Sequence, residues 1–144
     1  MKTLRIGSGA GYSGDRIEPA VELAEQGDLD YLVFECLAER TIALAQQARI
    51  SDPQGGYDPL LSERMRRVLP FVGQPDGRRR LRVITNMGAA NPVAAAVEVR
   101  RIASELGLTL KVLAVVGDDV LEVLRREPEQ LLDNGQTLGS LGER

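Results

Sequence analysis

The chain has 144 residues, of which 43% are hydrophobic and 27% charged, with a formal net charge of −3, one cysteine and no histidine. That balance excludes a disordered chain and a disulfide-stapled mini-domain. It argues against a nucleic-acid partner, and the absence of histidine removes the commonest general base and transition-metal ligand. No apolar run approaches the ~20 residues that span a bilayer. With no signal peptide and a lone Cys36, the expectation is one cytoplasmic domain over residues 1–144, with no membrane partner.

In chain order, Leu4-Arg5-Ile6 reads as a short first strand, followed by the glycine-rich stretch Gly7-Ser8-Gly9-Ala10-Gly11-Tyr12-Ser13-Gly14. Such a stretch can take positive φ and present backbone N–H groups to a ligand. Asp15 with Glu18 makes a capping box for a first helix that ends at Gly27-Asp28, with Pro19 in its first turn. Tyr31-Leu32-Val33-Phe34 is a continuous apolar run, as in a strand buried on both faces. A helix is predicted over 38–50, then a loop at 51–59 in which Asp58-Pro59 reads as cap plus first helical residue. Leu61, Met65, Val68 and Leu69 give the next helix its apolar stripe.

Residues 73–80 form a polar connection whose Arg78-Arg79-Arg80 reads as a solvated turn. Leu81 to Thr85 is a third strand, and Asn91-Pro92 opens a helix lined by Val93, Ala96, Val97, Ile102, Ala103 and Leu106, which Gly107 stops. A fourth strand is predicted over 110–116 and a further helix over 119–126, broken at Glu127-Pro128, with one further turn at Leu131-Leu132. Gln136 to Arg144 shows neither periodicity nor a stop signal. Strands alternating with helices imply parallel pairing. The predicted fold is α/β: a mostly parallel sheet of about four strands with helices on both faces, or alternatively half of a (β/α)8 barrel.

Function is expected at the carboxyl ends of the strands, where open α/β sheets place their sites. Gly9-Ala10-Gly11-Tyr12-Ser13-Gly14 fits G-x-G-x-x-G, and Glu35 follows at the ribose-binding distance of about 20 residues. In a dinucleotide fold, however, the helix begins within the glycines, whereas here the helix signal starts at Asp15. Three readings stay open: a nicotinamide or flavin site, an anion cradle built from Ser8, Gly9, Gly11, Ser13, Gly14 and Arg16, and a turn needed only for chain geometry. No cofactor is assigned.

Glu35, at a strand end inside an apolar wall, is a candidate acid or base, or else structural glue to Arg16 or Arg40. Cys36, without a histidine, reads as a buried thiol rather than a nucleophile. Asn86 is a candidate for orienting a carbonyl, while Asn91 is explained as a cap. Asp118 and Asp119 could hold Mg2+ through their oxygens, or serve as turn residue and cap.

The segments IGSGAGYSGDRIEPAVELAEQGDLDYLVFECLAERTIALAQ, GYDPLL, TNMGAANP and VVGDDV together resemble the N-terminal region of the acyclic-terpene-utilisation AtuA family over nearly the whole chain. The resemblance implies a bacterial protein of acyclic terpenoid breakdown through acyl-CoA intermediates. It also implies a longer parent protein of which this chain is the N-terminal part. Two function classes follow. One is an enzyme or enzyme subunit acting on an acyl-CoA or carboxylate, by hydration or lyase-type proton chemistry rather than redox. The other is a non-catalytic binding or assembly domain, as a homo-oligomer or beside a partner subunit.

Overall fold

The computed structural model describes residues 3–72, 81–126 and 133–141. Arg78-Arg79-Arg80, Glu127-Pro128, Leu131-Leu132 and the last three residues of the expected tail lie outside the described residues. The chain divides into two compact units, Met1–Ala114 and Val115–Arg144.

The first unit is built on a parallel sheet of three strands, β1 (Ile6–Ala10), β2 (Tyr31–Phe34) and β3 (Arg82–Thr85), in spatial order β1-β2-β3. Tyr31 pairs with Ile6 and Arg82, and Phe34 pairs with Ala10 and Thr85. The register slips between Ser8 and Ala10, so Gly9 sits in an irregularity of β1. β1 therefore begins later than expected and consumes Gly7 and Gly9 of the presumed loop. The cause is packing: a Cβ on Gly7 would lie 2.5 Å from Leu29 Cδ1, and one on Gly9 would lie 2.7 Å from Phe34 Cε1. Gly7, Gly9, Gly11 and Gly14 all avoid positive φ, so this stretch does not use the left-handed freedom expected of it.

Alternation along the strands separates two faces. Gly7, Gly9, Leu32 and Phe34 are buried against α1 (Glu18–Gln26) and a core that continues through α3 (Leu61–Val68) and α4 (Pro92–Glu105). Burying Leu32 and Phe34 contributes about 1.5–3 kcal/mol each. On the other face Ile6 is 64% and Ile84 54% exposed, Ser8 is exposed, and Tyr31 and Val33 are half-buried. The Arg82 guanidinium lies 5.4 Å from the centre of the Tyr31 ring on this face. Burial of β2 on both faces, and helices covering both faces of the sheet, are thus not found among the described residues.

α2 (Glu39–Ser51) matches the predicted helix, with the Ala38 N–H donating to Thr41 Oγ1 at 2.7 Å. α4 begins at Pro92 as predicted, and the Asn91 side chain accepts from the Ala94 N–H. It ends at Gly107, φ +68, with Leu108 N–H bonded to Ala103 O and Gly107 N–H to Ser104 O. Its buried face differs from the predicted one: Ala94, Ala95, Ala96, Ile102 and Ala103 are inside, while Val93, Val97 and Leu106 are exposed. Small alanines let α3 pack close, and the larger valines are left outward. Across the α3–α4 seam, Ser62 donates to Glu98 at 2.7 Å and Arg66 pairs with Glu105, while Arg101 pairs with Glu98 and Glu105 along α4 itself.

Residues 110–116 form no strand. An apolar run becomes a strand only with a ladder partner, and Leu113, Val115 and Val116 stay exposed and unpaired in any sheet. Neither a fourth strand nor half a barrel is present among the described residues. In the second unit, α5 (Leu121–Arg126) starts two residues later than expected, with Asp119 Oδ1 accepting from Leu121 N–H at 3.2 Å. A 3-10 turn follows at Leu138–Leu141. No helix among the described residues is long and apolar enough to cross a membrane.

Candidate functional site

The parallel register brings three connections to one sheet edge: residues 11–17 after β1, 35–38 after β2, and 86–91 after β3. The first closes on itself. Asp15 Oδ2 accepts the Gly11 N–H at 3.0 Å and Asp15 Oδ1 accepts the Arg16 N–H at 2.9 Å. These two bonds, Gly11 first, hold the Asp15 carboxyl below the usual carboxylate range. Two N–H groups of the expected anion cradle, those of Gly11 and Arg16, are thus taken by a carboxylate of the chain itself. It does not cap α1, whose N-cap Ile17 has no side-chain cap bond. Glu18, the other half of the expected capping box, pairs instead with Arg67 of α3 at 2.9 Å.

The second and third connections are joined by Asn86. Its Oδ1 accepts the Cys36 N–H at 2.7 Å, and its Nδ2 donates to Glu35 Oε1 at 2.8 Å. The same Glu35 oxygen accepts the Leu37 N–H at 3.1 Å. Glu35 is exposed and Asn86 half-buried. Among the described residues Glu35 Oε2 and the second Nδ2 hydrogen of Asn86 have no partner, so one carboxylate oxygen and one amide hydrogen of the pair are left open. Glu35 is not tied to Arg16 or Arg40, whose guanidinium groups make no ion pair among the described residues.

The loop after β3 is held from behind by residues 53–58. The Asp58 N–H donates to Met87 O at 2.8 Å and the Ala90 N–H to Gly56 O at 2.9 Å. Asn91 Nδ2 donates to Pro53 O and Gly55 O, and Arg49 donates to Ala90 O at 2.9 Å. The clamp holds Ala89 at φ +45, a conformation costing a non-glycine residue about 1–2 kcal/mol.

One residue that the sequence reading passed over reaches all three connections. Arg64 of α3 is 0% exposed. Its NH2 group donates to Ser13 O at 2.9 Å and Asp15 O at 2.8 Å, and its NH1 group lies 3.2 Å from Cys36 Sγ and 3.6 Å from Met87 Sδ. The buried Asp58 carboxylate, itself bonded to the Leu60 N–H, stands 3.9 Å from NH1. Asp58 thus opens the turn at residues 59–60 that leads into α3 instead of capping α3 directly. The available signal for Arg64 was its place among Leu61, Met65 and Val68, all on the buried stripe. Burial pushes the Cys36 thiol up to about 11, which suits the predicted inert thiol.

The remaining predicted residues are spread out. Ser8 lies on the open sheet face and Gly9 under Phe34, whereas Gly11, Ser13, Gly14 and Arg16 belong to the first loop. Asp118 and Asp119 are exposed and fall in the second unit, not at a strand end. Among the described residues there is no group of three or more His, Cys, Asp or Glu side chains able to hold a metal ion.

A family model described as "Acyclic terpene utilisation family protein AtuA" matches residues 4–144. No curated protein and no solved structure matches the chain.

Proposed function

The chain belongs to the acyclic terpene utilisation family AtuA, and from that premise we propose that it is an enzyme, or an enzyme subunit, acting on an acyl-CoA or carboxylate intermediate of acyclic terpenoid breakdown. The observation that carries this reading is the Glu35–Asn86 pair: a 2.8 Å hydrogen bond at a sheet edge with one carboxylate oxygen and one amide hydrogen left open. That is the donor–acceptor set needed to move a proton beside a carbonyl. The amide hydrogen holds the carbonyl oxygen, and Glu35 Oε2 takes the proton from the adjacent carbon or returns it. The chemistry is hydration or lyase-type. The exposed Arg16 guanidinium supplies a cation for the ligand's anionic group.

A panel of CoA, branched acyl-CoAs and free terpenoid acids, read by thermal shift, tests the ligand class. A ligand at a hundred times its Kd stabilises the fold by about 2.7 kcal/mol. Glu35→Gln is expected to keep that shift and to lower turnover by about 10²–10⁴-fold. Conversion at the wild-type rate by the variant would remove Glu35 from the chemistry.

The exposed Ile6 and Ile84 on the uncovered sheet face favour a second reading, a binding or assembly domain in a homo-oligomer or beside a partner subunit. Sedimentation of Ile84→Glu against the wild type tests it. A wild-type chain that stays monomeric at high concentration would count against self-association.

A further inference from the structure

Arg64 stands where the pattern of α3 calls for an apolar side chain, between Leu61 and Val68 and beside Met65. A cation buried to 0% exposure is a costly way to fill a core position. Its nearest carboxylate oxygen, on Asp58, is 3.9 Å away, and its Nε has no partner. Stability alone does not account for this choice. An apolar side chain would fill the volume without desolvating a charge.

What a guanidinium can do here, and no apolar side chain can, is bridge. Its fork reaches Ser13 and Asp15 in the loop after β1, Cys36 after β2 and Met87 after β3. The residues after Phe34 need such a hold. Among the described residues, beyond the end of β2 only the Glu35 N–H, bonded to Ala10 O at 3.2 Å, continues the pairing toward β1. Cys36 is then placed by its sulfur on Arg64 and by its N–H on Asn86. That N–H bond also fixes which way the Asn86 amide is turned: Oδ1 faces Cys36, so Nδ2 faces Glu35.

We propose that Arg64 is a positioning residue that sets the rotamer and amide orientation of Asn86 through Cys36, and thereby poises the Glu35–Asn86 pair. This rests on the reading of that pair as the reactive one, but its test needs no ligand. The probe is the Asn86 side-chain amide of the whole chain by 15N NMR. In the wild type its two proton resonances are held apart from free-asparagine positions, and Glu35→Gln moves them.

Arg64→Met combined with Asp58→Asn removes both buried charges and retains an acceptor for the Leu60 N–H, so that the fold survives. Its expected result is an Asn86 amide at free-asparagine shifts, blind to Glu35, while the backbone amides of β1, β2, β3 and α4 stay at wild-type positions. Arg64→Lys keeps the charge without the fork, and is expected to behave like the double variant.

An Asn86 amide that stays ordered and coupled to Glu35 in the double variant would overturn the proposal. So would sheet amides shifted as widely as the site, full rescue by lysine, or a wild-type amide that ignores Glu35. If the positioning result holds while Glu35→Gln leaves turnover intact, the proposed chemistry fails and the positioning role stands.

Discussion

The loop after β1 and the loop after β3 meet at the same sheet edge and use their polar groups in opposite ways. In the first, Gly11 and Arg16 donate their N–H groups to the Asp15 carboxylate of the same loop, and the carbonyl oxygens of Ser13 and Asp15 accept from Arg64. Its Gly11 and Arg16 N–H groups are thus taken within the loop, and its Ser13 and Asp15 carbonyl groups by the core behind it. In the second, the backbone is clamped from behind by residues 53–58, and Asn86 is left to reach across to the neighbouring strand end. A glycine-rich loop advertises room for a ligand, yet here two of its glycines are explained by side chains packed on the strand. The loop with a rigid rear support and an open amide hydrogen is the one that the proposed chemistry uses.

The largest effect on this contrast should come from Arg64→Ala, because Arg64 is the group the two loops share. The change leaves Asp58 buried without its cation and two carbonyl groups without a donor. A loss of about 3–5 kcal/mol in urea unfolding is expected, with a smaller loss when Asp58→Asn is added. Next is Gly9→Val, at about 1–3 kcal/mol, since its Cβ would lie 2.7 Å from Phe34 Cε1. That cost should appear in stability while the Asn86–Glu35 coupling persists. Loss of the coupling in a folded Gly9→Val chain would show that the two loops are not separable.

Cys36 lies behind the junction of the loops and gives a pH test. Burial raises its thiol from 9.0 to about 11, so the folded state binds the proton more tightly than the unfolded state. Its contribution to stability is therefore complete below about pH 9 and is lost as pH rises toward 11. Cys36→Ser should flatten that part of the stability curve. Glu98, on the far α3–α4 seam, titrates in the opposite sense. Its carboxyl is lowered from 4.5 to about 2, chiefly by the Arg101 hydrogen bond, so its contribution is present above about pH 4.5 and fades as pH falls toward 2.

Much of this arrangement was legible before the fold was known. The strand β2 and the Asn91 cap follow from composition and spacing. In a parallel sheet, Glu35 and Asn86, each one residue past paired Phe34 and Thr85, must come together. Three features were not legible, each for a physical reason. Gly7 and Gly9 read as loop because glycine signals flexibility, whereas here it signals that Leu29 and Phe34 lie on the strand. Residues 110–116 read as strand because they are apolar, but apolarity supplies no ladder partner. Arg64 was passed over because arginine is ordinarily a surface residue, and only its coincidence with the stripe of Leu61, Met65 and Val68 hinted otherwise.

The smallest expected effect is the most discriminating between the two loops. A Cβ on Gly11 would meet nothing within 4 Å, and its φ is one that other residues adopt. Gly11→Ala should therefore cost no stability and is expected to add about 0.4–1 kcal/mol by restricting the unfolded chain. Because the Gly11 N–H already serves Asp15, the same variant should leave the thermal shift from any acyl-CoA or acid unchanged, while Asn86→Ala diminishes it. Were Gly11→Ala to abolish the shift in a fully folded chain, the ligand's anionic group would have to displace Asp15 from that N–H. The first loop would then be the binding element and the Glu35–Asn86 pair its bystander.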